Sequence, residues 1–402
     1  MRVLLFTGKG GVGKTTTSAA TAAFAAARGQ KTLVLSTDPA HSLADAYGVS
    51  IGDEPTEIDS GLYGQQVDAQ RAFEASWRTV QDYLREVLEQ GGIDPLDAEE
   101  LTVLPGAEEV LALLELRAQV GSGRWDVVVV DCAPTGETLR LLALPDALRW
   151  WMGRIYPADR RVMRTIRPVL SHLAGLPFPP DSVFAAAQRL TDELAEVRDL
   201  LADPVTTSVR LVVTPESMVV AEARRTLTSL SLFGYRVDGV VANRVFPSGE
   251  ADAWRVGWVS SQRERLAEVR TSFAGVPVWE AAYAAAEPIG VAALGDFAAA
   301  TYGKPVEACD PDPLAVTATA EPLVVERVSA DEFVMAIHLP YADRDEVELV
   351  RKGDDLVITV GRYRRVLALP SALRRCTVDG AALRDGALRV RFSVDPQVWS
   401  RT

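Results

Sequence analysis

The sequence predicts an α/β fold: a doubly wound, mostly parallel sheet with a helical insertion, followed by a small C-terminal β-sandwich. Three observations predict it. Near-continuous apolar runs at residues 3–6, 32–35, 127–130, 211–213 and 239–242 alternate with helix-period segments over the first two-thirds of the chain. Runs without polar alternation suit parallel strands covered on both faces, and strands alternating with helices build a doubly wound domain. A longer helix-period stretch, about 144–200, separates the third run from the fourth. After Lys304 the period switches to two, as in antiparallel strands. The 402 residues suffice for one large domain and a small one.

Each element follows in turn. Residues 15–28 are rich in alanine and end at Gly29, a helix with a glycine stop. In such a fold the ligand sits beyond the carboxyl ends of the strands. Within the insertion, Leu144, Leu148, Trp151, Met152 and Ile155 share one helix face, and Met163, Ile166, Leu170 and Leu173 share another. A shorter helical segment near 77–88 joins them, and these faces pack on one another or offer an apolar surface. Residues 306–322, with Asp310-Pro311-Asp312-Pro313, make a semi-extended linker between an N-terminal domain (1–305) and a sandwich (323–395). The sandwich strands are Phe333-Val334-Met335-Ala336-Ile337 and residues 356–360, 366–369 and 388–392. Turns at Gly353-Asp354-Asp355 and Asp385-Gly386 lie between them.

Composition narrows the function. A net charge of −13 argues against a broad surface for a phosphate backbone, so no nucleic acid is expected. The local cluster Arg160, Arg161, Arg164 and Arg167 is assigned to a solvated helix face. No stretch is long and apolar enough for a bilayer, and the short run 3–6 leads into a glycine loop rather than a signal-peptide cleavage site. Cys132, Cys309 and Cys376 are scattered, as are His41, His172 and His338. That spacing suits a reducing, cytoplasmic compartment and gives no zinc site.

The chemistry begins at Gly8-Lys9-Gly10-Gly11-Val12-Gly13-Lys14-Thr15, which satisfies GxxxxGK[ST] between a strand and a helix. Glycines let successive backbone N–H groups turn inward around phosphate oxygens, and the helix N-terminus, with Thr16 in its first turn, adds favourable charge. In such a phosphate loop Lys14 bridges the β- and γ-phosphates of ATP, and Thr15 ligates Mg2+. Asp131 ends the third run and holds magnesium directly or through its water. Asp38 follows the second run and orients the attacking water, since an ordinary aspartate is too weak a base to deprotonate it. Taken singly, each acid is also a candidate helix cap. Lys9 is a second lysine where small residues would be expected. It either adds charge to the transferring phosphate or is a solvated surface lysine.

These segments resemble the ArsA-type ATPases, which include the bacterial arsenite-pump ATPase and the ATPases that deliver tail-anchored membrane proteins. The resembling motifs are GKGGVGKTT from Gly8, STDPAHSLADAYG from Ser36 and DCAPTGETLRLL from Asp131. Weaker likenesses are Pro105-Gly106-Ala107-Glu108-Glu109, Pro215-Glu216 with Glu222, Asn243 where the family contacts adenine, and Glu287-Pro288-Ile289-Gly290. The tail, from about 323 to 394, resembles the α-crystallin domain of small heat-shock proteins at His338-Leu339-Pro340, Leu369-Pro370-Ser371-Ala372-Leu373 and Asp385-Gly386-Ala387-Leu388-Arg389-Val390.

The resemblance implies a Mg-dependent ATP hydrolase with a deviant Walker A loop, working as a homodimer that closes on ATP. Lys9 would be the signature lysine that reaches the partner's nucleotide; Asp38 would belong to switch I and Asp131 to switch II. Three departures stand out. Glu137 replaces the family's switch II histidine, the arsenite pump's metalloid cysteines have no counterpart, and the zinc-binding CxxC of the targeting ATPases is absent. Three functions remain open: a switch that binds or delivers a hydrophobic or membrane-protein client, peripheral to the membrane through a partner; an ATPase subunit energising arsenite or oxyanion efflux; and a partition-type positioning ATPase.

Overall fold

The computed structural model describes residues 1–37, 42–67, 107–132, 181–249, 252–305, 311–316 and 321–394, with Asp82, Arg85, Glu89 and Asp94 as isolated positions. The N-terminal part runs β1 (Arg2–Thr7), α1 (Lys14–Ala27), β2 (Thr32–Ser36), α2 (Ser42–Tyr47), β3 (Thr56–Asp59), β4 (Leu62–Gln66), α3 (Ala107–Gly121) and β5 (Val127–Asp131). It continues with α4 (Asp181–Ala202), β6 (Thr207–Val213), α5 (Ser217–Phe233), β7 (Val237–Val245), α6 (Ala253–Ser272), β8 (Val278–Ala282) and α7 (Val291–Tyr302). The strands form one eight-stranded sheet, order β3-β4-β2-β5-β1-β6-β7-β8. Only the β3–β4 pairing is antiparallel.

All five apolar runs are strands, and β1, β2, β5 and β6 are buried at every position. β1 pairs with β5 on one side and β6 on the other, so the winding reverses around it. That reversal opens a crevice at the carboxyl end of β1. The alanines of α1 (Ala19, Ala20, Ala22, Ala23) bring the helix close to the sheet, and α7 packs beside it on the same face. There Phe24 meets Tyr302 edge-on at 5.7 Å, and the Thr21 and Tyr302 hydroxyls lie 3.0 Å apart. Gly29 takes φ 80°, a left-handed stop that a side chain would strain. Of the insertion, α4 is described; it buries Leu194, Val197 and Leu201 and packs against α3 and β6. Leu144, Trp151, Met163 and the other proposed face residues lie outside the described residues.

The C-terminal part holds β9 (Leu323–Arg327), β10 (Glu332–His338), β11 (Val347–Lys352), β12 (Asp355–Val360), β13 (Tyr363–Ala368), α8 (Ser371–Arg374), β14 (Cys376–Arg384) and β15 (Ala387–Val394). Two antiparallel sheets, β14-β15-β10-β9 and β11-β12-β13, enclose a core of Met335, Ile337, Leu356, Ile358, Leu388, Val390 and Phe392. Asp385 (φ 51°) and Gly386 (φ 69°) give the β14–β15 hairpin its left-handed two-residue turn.

The sandwich is seated on α5. Leu232 belongs to the sandwich core, Arg365 Nη1 donates to Leu232 O at 2.6 Å, and the Tyr341 hydroxyl donates to Ser272 O at 2.7 Å. Residues 311–316 lie against the large sheet. Arg210 Nη2 donates to Pro313 O at 2.7 Å while pairing with Asp238 at 2.9 Å, and Arg28 meets Asp312 at 2.7 Å. Arg210 is fully buried; burial opposes its charge, but Asp238 and Tyr302 together hold its pKa above the ordinary value.

Candidate active site

The loop from Gly8 to Gly13 leaves the carboxyl end of β1 and enters α1 at Lys14. Close packing dictates two of its glycines. A Cβ on Gly8 would lie 2.3 Å from Val212 O, and one on Gly13 (φ 91°) would lie 2.3 Å from Asn243 Nδ2. Gly11 also has a left-handed φ, 82°. Gly10 and Gly11 are exposed, whereas Val12 is buried and anchors the loop in the core. The first turn of α1 contains no acidic residue and no side-chain cap, leaving its backbone N–H groups available to an anion. Lys14 is buried there, Thr16 lies partly exposed beside it, and Lys9 is partly exposed at the loop's start.

Across the loop, the Thr15 hydroxyl donates to Asp131 Oδ2 at 2.7 Å. The strand β5 places Asp131 at its last position, in register with Phe6 of β1 and Ser36 of β2, and fully buries it. A hydroxyl and a carboxylate converging beside a phosphate loop form an all-oxygen donor pair, the type a hard divalent cation takes. The donors therefore fit magnesium, which Thr15 and Asp131 would hold. Lys14 and the loop amides would neutralise phosphate charge, and magnesium, when bound, would polarise phosphate oxygens.

Two neighbours escaped sequence reasoning. The Ser42 hydroxyl, at the start of α2, lies 3.0 Å from Thr15 Oγ1. Tyr47 donates to Ala19 O at 2.8 Å; burial first, and then the Asp131 charge, push its phenol pKa well above the ordinary range. Both lie within the segment 36–48 that resembles the ArsA-type ATPases, but nothing in their spacing gave either a place at the site. Cys132, beside Asp131, is pushed far up by burial, with Asp131 adding to the shift, so it stays a thiol rather than a thiolate nucleophile.

Asn243, at the end of β7, does something the sequence did not suggest. Its Nδ2 donates to Val12 O at 2.9 Å and its Oδ1 accepts from Arg244 N at 2.8 Å, bracing the phosphate loop from two strands away. Arg244 takes φ 58° at that bend. The structure thus brings together Gly8, Gly13, Lys14, Thr15, Asp131 and Asn243. Asp38 and Glu137 lie outside the described residues.

The anion-transporting ATPase family matches residues 1–303, and an HSP20-like domain found in ArsA matches residues 330–392. An uncharacterized protein of Streptomyces coelicolor is 42% identical over 403 residues, covering 100% of both chains. A provisionally named arsenical pump-driving ATPase of Prosthecochloris vibrioformis is 36% identical over 400 residues, 99% of this chain and 97% of its own. An ATPase ASNA1 homolog of Plasmodium chabaudi chabaudi is 31% identical over 250 residues, 61% of this chain and 63% of its own.

Proposed function

The chain belongs to the anion-transporting ATPase family, and from that premise we propose that it is a Mg-dependent, homodimeric ATP switch that binds or delivers a hydrophobic or membrane-protein client. The observation that carries the switch is the Thr15–Asp131 bond at 2.7 Å. It ties the helix after the phosphate loop to the strand end from which the chain leaves toward the helical insertion. A ligand at that bond is sensed by both segments at once. Differential affinity of a few kcal/mol for two packings is enough to shift such an equilibrium.

The roles divide as follows. Lys14 and the amides of Gly10, Gly11, Val12, Gly13, Lys14, Thr15 and Thr16 hold the phosphates. Thr15 and Asp131 hold magnesium, and Asp38 orients the attacking water. Lys9 completes the partner subunit's site, and Asn243 supports the base as well as bracing the loop. Energising arsenite or oxyanion efflux is the second assignment, favoured by the name of the Prosthecochloris vibrioformis relative. Partition-type positioning has no specific observation in its favour.

Asp38→Asn tests the switch. The variant is expected to bind ATP with parent affinity, lose turnover, and accumulate as a dimer with ATP and magnesium by sedimentation. Hydrolysis at the parent rate, or a monomer with nucleotide bound, would contradict the proposal. Two further readouts separate the assignments: capture of a hydrophobic helix peptide by the trapped variant supports delivery, and arsenite-stimulated hydrolysis by the parent protein supports efflux.

A further inference from the structure

The carboxyl end of β4 carries a buried side chain that neither the phosphate loop nor the core accounts for. Gln66 is 5% exposed, and neither its Nε2 nor its Oε1 has a hydrogen-bond partner among the described residues. Its neighbour Gln65 has partners: its Nε2 donates to Asp53 O and to Glu115 Oε1, both at 2.7 Å. Burying an amide group without a partner is unfavourable, and an apolar side chain of similar volume would fill the site without that penalty. Buried polar groups left unpaired in one state are candidates for a ligand in another.

Strand register tells where Gln66 points. Gln66 pairs with Ser36 on β2, and Ser36 pairs with Asp131 on β5. Residues in register on parallel strands project to the same face of the sheet. Asp131 faces α1, because it accepts the Thr15 hydroxyl, so Ser36 and Gln66 face α1 too. Gln65 projects to the opposite face, where it meets Glu115 of α3. Asp131, Ser36 and Gln66 therefore form a polar row across three adjacent strand ends, about 10 Å long at the backbone.

We propose that Gln66 is a positioning residue of the magnesium site, its carboxamide hydrogen-bonding the hydration shell of the cation held at Thr15 and Asp131. Magnesium keeps several of its waters when a protein binds it. Those waters are strong donors, from which Oε1 accepts, while Nε2 donates to a water outside the cation's own shell. Outer-shell groups of this kind fix the orientation of the inner ligands. The proposal rests on the assignment of Thr15 and Asp131 to magnesium.

The test uses the full chain and reads melting temperature rather than turnover. Gln66→Met keeps the side-chain length and removes both polar atoms. Without ligand it is expected to melt at the parent temperature or above, because no existing bond is lost. With ADP present, the magnesium concentration that gives half of the full thermal shift is expected to rise about tenfold. A folded variant with an unchanged magnesium requirement overturns the proposal. So does a lowered melting temperature without ligand, which would mean that the carboxamide has a structural partner. If Gln66→Met does not fold, Gln66→Asn carries the same titration: a raised requirement supports the proposal and an unchanged one overturns it. Thr15→Ala keeps the two assignments apart. If it retains the parent magnesium requirement, the failure belongs to the metal site itself and not to Gln66.

Discussion

Thr15 joins three segments through one hydroxyl, since Oγ1 donates to Asp131 and lies against Ser42. Removing it takes away a cation donor and the link between α1 and β5 together. Thr15→Ala is expected to keep nucleotide binding through Lys14 and the loop amides while losing at least about tenfold in magnesium affinity. Isothermal titration of ADP with and without magnesium checks it; equal magnesium dependence in variant and parent would count against the donor role. At this scale the site was largely legible, because Gly8, Gly13, Lys14 and Thr15 sit at fixed offsets that backbone–phosphate geometry demands. Asp131 was legible through its place after an apolar run. Ser42 lay inside the segment 36–48 but the pattern gave it no role. Gln66 was not legible, because a single glutamine at the end of a strand has no spacing pattern to mark it, and its significance arises from register between strands far apart in sequence.

The helix α5 stands between the two parts of the molecule. Its Val219, Glu222, Ala223 and Thr226 line the space beneath Gly8 and Lys9, while Leu232 and the Leu232 carbonyl belong to the sandwich side. A cleft of 610 Å³ between helix and sandwich is lined by Glu222, Arg225, Tyr341 and Arg362. Arg365 is the buried tie across this junction, and its guanidinium lies 3.3 Å from where a Cβ on Gly234 would be. Arg365→Met is expected to weaken the seating of the sandwich by about 2 kcal/mol, since a charged hydrogen bond to a buried carbonyl is lost. Calorimetry should then show the sandwich melting ahead of the large sheet; one unshifted transition would show that Arg365 adds nothing to the junction. Elements were legible where burial made them uniformly apolar, as in β1, β2, β5, β6 and β7. The strands β3, β4 and β8 escaped notice, because Thr56–Asp59 at the sheet edge is mostly exposed and Gln65 and Gln66 break the apolar pattern of β4. In the sandwich, β10, β12, β13 and β15 were visible through their alternation, whereas β9 has no fully buried position and β11 alternates only weakly.

At the scale of the whole molecule, the sheet reversal around β1 puts the phosphate loop at the crevice, and the sandwich sits behind it on α5. Residues 311–316 are held to the large sheet by Arg210 and Arg2 and to the end of α1 by Arg28. Two such molecules are proposed to share their catalytic groups across a dimer. Lys9 carries the proposal, as a partly exposed lysine at the mouth of a loop otherwise built from small residues. Mixing Lys9→Ala chains with Asp38→Asn chains measures this most directly. Each variant alone is expected to be inactive. In a mixed dimer, the site on the Lys9→Ala chain keeps its own Asp38 and receives the partner's Lys9. An equal mixture that exchanges subunits freely should therefore recover roughly a quarter of the parent rate per chain. No recovery, with mixed dimers demonstrated by mass-tagged chains, would contradict cross-subunit action and place Lys9 at its own chain's nucleotide.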